Sequence, residues 1–130
     1  MSIEIKEVRY DAWGNCLRLS NGFIEAIVTI DYGPRVVSFR LTDRENVLFE
    51  DNADRFTVSG PEMDSHYGTG AVFHRRGGHF GSIAPIRVPE SFFPDNSSVL
   101  YTIRPDGVSL ISPREKSDGI KYSTEILMGD

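Results

Sequence analysis

The 130 residues of this chain predict an all-β protein, an antiparallel β-sandwich or part of one. Three observations carry that prediction. Apolar residues recur with a period of two: Ile24, Ala26, Val28 and Ile30 share one face, and Phe23, Glu25, Ile27 and Thr29 the other. Short apolar runs are separated by strong turn signals, Asn21-Gly22 and Asp106-Gly107 among them. No stretch carries a helical stripe of any length, and no fixed-period repeat is present.

In chain order, Ile3, Ile5 and Val8 lie in a charged stretch that reads as a first, edge-like strand. Trp13-Gly14-Asn15 turns the chain into a short strand at 16–20. Asn21-Gly22 predicts a type I′ hairpin turn, since both residues tolerate positive φ, and leads into a strand at 23–30. Asp31-Tyr32-Gly33-Pro34 turns again, and 35–41 is a strand with Val37, Phe39 and Leu41 on one face. A turn at 42–45 and a short strand at 46–50 complete an antiparallel meander. From 51 to 78 the pattern dissolves into a long irregular loop holding two very short strands, 56–59 and 71–73. Such a loop in a compact domain is either functional or conceals an element. His66, His74 and His79 lie in it or at its end. Residues 98–104 and 108–112 form a hairpin around Pro105-Asp106-Gly107. A polar connector at 112–119 precedes a last strand at 120–128, with Ile120, Tyr122, Thr124, Ile126 and Met128 on one face.

The length fits one domain, 1–130, which buries roughly two-thirds of its unfolded surface without disulfide or metal. Fourteen Lys and Arg against nineteen Asp and Glu give a net charge of −5, which argues against a nucleic-acid partner. The lone Cys16 has no partner for an internal disulfide, and a reduced, cytoplasmic setting is the simplest reading. The start MSIEIKEVRY is too charged for a signal peptide, and no apolar run approaches the ~20 residues of a membrane helix.

The densest functional signal is the stretch 74–96, HRRGGHFGSIAPIRVPESFFPDN. Gly77-Gly78 frees the backbone, Pro85, Pro89 and Pro94 interrupt any ladder, and histidines, arginines and carboxylates converge there. That composition reads as a binding mouth. Two stretches also resemble a known family. WGNCLRLSNGFIEAIVTIDYGPRVVSFRL at 13–41 and GGHFGSIAPIRVPESFFPDN at 77–96, in this order, resemble the galactose mutarotase-like (aldose 1-epimerase-like) superfamily, and within it an uncharacterised bacterial branch. The resemblance implies a β-supersandwich that binds sugars across one sheet. It covers the N-terminal part of such proteins, which run to about twice this length or more. In the branch a large aromatic follows the G-G-H; here Phe80-Gly81-Ser82 follows His79.

Mutarotation needs a base on the anomeric hydroxyl and an acid on the ring oxygen. In the family the glutamate of that pair lies in a later half that has no counterpart here, so no complete acid–base pair carries over. His79 and Glu90 have suitable chemistry, but their catalytic role stays unassigned. The substrate-binding candidates are Arg35, His74, Arg76, His79, Glu90 and Asn96. His79 either bonds a sugar hydroxyl or caps the Gly-Gly turn. Arg35, in the family-like G-P-R, donates to a sugar oxygen or, more in keeping with its type, to a carboxylate such as Glu90. Arg75-Arg76 beside histidines suits a sugar phosphate, with a solvated charge pair as the plain alternative. Asp95 reads as a turn residue that bonds its own backbone. Trp13, Tyr67, Phe92 and Phe93 are aromatics that could stack on a sugar, with at most one of the Phe pair facing ligand. A zinc site of the histidines with Glu62 or Asp64 lacks ligand spacing, so no metal and no cofactor is expected.

The sequence therefore points to a carbohydrate-binding β-sandwich unit, catalytically incomplete alone, with a monosaccharide or sugar derivative as ligand. One alternative is an aldose or sugar-phosphate epimerase completed by a second chain; another is a non-enzymatic β-rich assembly module. A homodimer, or a partner chain, is expected through the terminal strand 120–128, with neither nucleic acid nor membrane as partner.

Overall fold

A computed structural model describes residues 3–115 and 118–130. Positions 116 and 117 of the expected polar connector lie outside the described residues. The protein is mostly β, and among the described residues its strands pair antiparallel in three sheets. The first sheet has the order β1 (Glu4–Arg9), β2 (Asn15–Ser20), β3 (Ile24–Thr29), β4 (Val36–Leu41). A two-stranded ribbon joins β5 (Thr57–Val58) to β6 (Phe73–His74). The third sheet is β7 (Leu100–Arg104), β8 (Gly107–Ile111), β9 (Ser123–Leu127).

The period-two pattern is realised through register. Leu17 faces Val28 and Leu19 faces Ala26, so these four share one face of the first sheet. They pack with Val108, Leu110 and Met128, so one apolar core lies between the first and third sheets. Half-buried Ile126 packs against that core as well, so part of the apolar face of the last strand is taken up within the chain. The opposite face of the first sheet carries a second cluster of Trp13, Cys16, Ile27, Tyr32 and Val37. Central strand β3 is thus covered on both faces, which is why its residues are apolar on both.

Several local expectations are corrected. The hairpin at 21–24 forms, but not as a type I′ turn: only Gly22 takes a positive φ, of 90°. Asn21 instead accepts the N–H groups of Phe23 and Ile24 on Oδ1, each at 2.9 Å, so its side chain serves the turn that its backbone was expected to make. In β4 a bulge pairs Ile27 with Ser38 but Val28 with Val36. Val37 is the extra residue and joins the second cluster, whereas Phe39 and Leu41 lie opposite Ala26 and Ile24 on the other face. Residues 46–49 form no strand; Asn46 accepts from the N–H groups of Phe39 and Leu48 and donates to Val37 O, imitating one. The segment 51–78 contains a helix, α1 (Pro61–Tyr67), that the sequence reading missed. Pro61 starts it, Glu62 and Asp64 sit in its first turn, and Met63 is its buried residue. With seven residues it has no stripe to show. Among the described residues no helix is long and apolar enough to cross a membrane.

Candidate functional site

The site is built on the turn between β3 and β4. Gly33 has φ 98° and donates its N–H to Asp95 O at 2.9 Å. A Cβ at Gly33 would collide with Arg35 N and Thr29 Oγ1, so glycine alone lets the chain turn here. Thr29 Oγ1 fixes the turn from inside, donating to Tyr32 O at 2.7 Å and accepting from Arg35 N at 3.1 Å. The turn thereby drives the Arg35 side chain inward, where it is 1% exposed.

Arg35 grips Asp95 with two bonds, Nε to Oδ2 and Nη2 to Oδ1, both 2.7 Å. Its Nη1 donates to Arg75 O at 2.7 Å. The rings of Phe80 and Phe73 lie 4.5 and 5.1 Å from the guanidinium carbon. One cation therefore staples three segments: its own turn, the strand leading to Gly77-Gly78, and the Pro94-Asp95-Asn96 turn. Removing one partner of such a buried pair typically costs ~3–5 kcal/mol, because the other charge is left uncompensated. The expected partner Glu90 is replaced by Asp95; Glu90 pairs instead with Arg87, three residues before it. Asp95 does sit in a turn, with Asn96 N–H donating to Pro94 O, but its carboxylate serves Arg35 rather than its own backbone.

Above this staple lies a groove of about 510 Å³. Tyr67 and Phe93 form its aromatic part, with ring centroids 6.1 Å apart and edge-on. His74, Asn96, Arg114 and Glu115 supply polar groups, and Asp95 lines it too. His74 Nδ1 is 2.6 Å from Asp54 Oδ2; an Nδ1–H donated there leaves Nε2 as an acceptor. Arg76 approaches the same carboxylate at 3.8 Å and lies 5.1 Å over the Tyr32 ring. Asn96 donates Nδ2 to Val72 O at 2.9 Å, which keeps Oδ1 as its acceptor. The Tyr67 hydroxyl donates to Pro89 O at 3.0 Å. Burial first, then the charges of Asp118 and Glu115, raise the Tyr67 phenol far above its ordinary pKa, so it stays a donor.

The six candidate binding residues thus separate. His74 and Asn96 line the groove, Arg76 braces Asp54 beside His74, and Arg35 lies beneath through Asp95. His79 is exposed, and its backbone pairs with Val36. Glu90 belongs to the 82–91 loop with Arg87. Trp13 is buried against Tyr32, and Phe92 packs edge-on to Phe73, so Phe93 is the Phe that reaches the groove. Arg114 and Glu115 went unnoticed because a polar connector gives no pattern. His66 finds its carboxylates in Asp118, at 2.9 Å, and Glu115, rather than in Glu62 or Asp64. Ligand atoms of these three lie within 4.8 Å of one another, a set that could hold a cation. No protein-family model, curated protein or solved structure matches the chain.

Proposed function

We propose that the chain is a carbohydrate-binding unit in which the first and third sheets form part of a β-sandwich of the galactose mutarotase-like kind, and that the groove above the Arg35–Asp95 staple takes a monosaccharide or a sugar derivative. The observation that carries this reading is the composition of the groove: two aromatic rings beside an imidazole, an amide, a guanidinium and a carboxylate. Carboxylates and amides match paired hydroxyls, and aromatic faces cover the C–H side of a sugar ring. The volume falls in the range of small-molecule sites. Arg114, on the groove wall, suits a phosphorylated sugar.

Turnover by the chain alone is not part of this reading. His79 lies outside the groove lining and Glu90 is held by Arg87, so these two supply no acid–base pair across the groove. A complete epimerase would need residues from another chain. The test is a titration of the intact protein with aldoses and their phosphates, followed by backbone amide shifts. Saturable shifts at Tyr67, His74 and Asn96 are expected, with a Kd in the millimolar range. His74→Ala and Asn96→Ala should each weaken binding by about tenfold. No saturable shift with any aldose or aldose phosphate would sink the reading. Faster anomer exchange in the presence of the protein would favour the epimerase instead.

A further inference from the structure

Phe73 and Phe80, whose rings cover the Arg35 guanidinium, also line a second cavity of about 350 Å³. Phe92, Ile83 and Ile86 complete its apolar wall, and Arg75 stands at it. Ile86 is 83% exposed, an unusual position for a large aliphatic side chain at the edge of an apolar cavity.

Arg75 is the distinctive member. Its guanidinium carbon lies 5.7 Å from the Phe49 ring and 5.2 Å from the Phe56 ring. Both rings are more than half exposed. Arg18, Arg35, Arg55, Arg87 and Arg104 each pair with a carboxylate. Arg75 has no such ion pair among the described residues. Its backbone is nonetheless fixed at both ends: its N–H donates to Phe56 O at 3.0 Å and its C=O accepts Arg35 Nη1 at 2.7 Å. A cation is thus held between two aromatic rings, beside an apolar cavity, with its charge uncompensated. Arg75 is exposed, so its fork is open to an anion arriving from solvent.

From this we infer a second binding site, for a small monocarboxylate with an aromatic or branched apolar body. The body fills the cavity over Phe73, Phe80 and Phe92, and the carboxylate takes the Arg75 fork. A sugar suits the same cavity poorly, because both of its serine hydroxyls already spend their protons within the chain. Ser82 Oγ donates to Ser91 O, and Ser91 Oγ donates to Ile83 O while accepting from Arg87 N. A single guanidinium on an apolar wall also suits a monoanion better than a phosphate dianion. The inference does not depend on the carbohydrate reading of the groove.

The experiment is a calorimetric titration of the intact protein with phenylacetate, and separately with phenylacetamide, which has the same shape and no charge. Phenylacetate should bind saturably and about tenfold or more tighter than the amide. Arg75→Gln should bring the acid down to the level of the amide. Ile86→Asp, at an exposed position, should repel the acid more than the amide, and it serves if the Arg75 variant fails to fold. His74→Ala, in the groove, should change neither affinity. The proposal is overturned if phenylacetate does not saturate or binds no better than the amide. It is overturned equally if neither variant lowers its affinity, or if His74→Ala abolishes binding. A solution mass that halves on Ile86→Asp would also overturn it, since a second copy would then occupy the cavity.

Discussion

At the scale of single residues, two buried acids in the second cluster tie stability to alkaline pH. Cys16 is wholly buried, and burial, reinforced by the nearby Asp31 charge, pushes its thiol up to about 12. Burial likewise pushes the Tyr32 phenol up to about 12. Unfolded, the two groups titrate near ~8.5 and ~10. The folded state therefore keeps protons that the unfolded state releases. The contribution is whole below about pH 8.5 and declines as pH rises towards 12, with a slope of up to about 1.4 kcal/mol per pH unit for each group. Denaturant unfolding across that range should show the decline beginning near the thiol value, and Cys16→Ala should delay its onset towards the phenol value. Native Cys16 should resist a thiol reagent that labels it at once in denaturant; rapid native labelling would contradict the burial. The same scale shows what the sequence could disclose. Gly33-Pro34-Arg35 pointed to an arginine that pairs with a carboxylate, though not to its burial. Its partner was not legible: Glu90 and Asp95 are chemically alike and lie a similar chain distance away. Only the fold, with Arg87 occupying Glu90, decides between them.

At the scale of elements, strands with clean alternation and a local partner were readable, and β1, β2, β3, β7 and β8 lie close to where the pattern put them. Apart from the short helix α1, the misses share a cause: side chains or extra residues replace regular backbone pairing. The bulge in β4 separates Val37 from Phe39, and no local pattern announces a bulge. Asn46 is the sharper case. It bonds Phe39 N–H at 2.9 Å, Leu48 N–H at 3.0 Å and Val37 O at 2.8 Å, so an amide side chain takes the place of a neighbouring strand at the edge of β4. Asn46→Ala should cost roughly 1–3 kcal/mol, chiefly by leaving the part-buried Val37 carbonyl without its donor. Asn46→Asp should not recover the loss, since it keeps the acceptor but turns a carboxylate oxygen towards the Val37 carbonyl where the donor stood. A denaturant midpoint unchanged by Asn46→Ala would show that water replaces these bonds without cost. The groove was partly legible at this scale too. His74 and Asn96 come from the stretch singled out for its glycines and prolines. Arg114 and Glu115 reach the groove from a connector whose polar composition could not distinguish them from solvent-facing residues.

For the whole molecule, the sequence placed an association surface on the last strand, and the packing of buried Met128 and half-buried Ile126 into the core turns attention to the other end of the third sheet. There β7 is an edge strand, paired among the described residues with β8 alone. Leu100 is 77% and Ile103 52% exposed, although Tyr101 and Ile103 share the face on which Leu110 and Val108 enter the core. An edge of this composition is a template for another strand. It is also self-complementary. Antiparallel pairing of two copies about Thr102 sets Tyr101 against Ile103 of the second copy, an aromatic and β-branched pair worth roughly 0.2–1 kcal/mol, and does so twice. Size points the same way. The chain exposes 7558 Å², whereas a folded monomer of 14.6 kDa exposes roughly 6900 Å². The excess of about 650 Å² approaches the ~800 Å² that each partner of a stable complex buries. Light scattering across a dilution series should therefore give a dimer mass at high concentration that falls on dilution. Ile103→Lys should yield the monomer throughout, because a charge on the paired face must be desolvated twice, once from each copy. Leu127→Lys, on β9, should leave the dimer intact. A wild-type monomer at every concentration would remove β7 as an interface, and a dimer lost through Leu127→Lys but not Ile103→Lys would return it to the terminal strand.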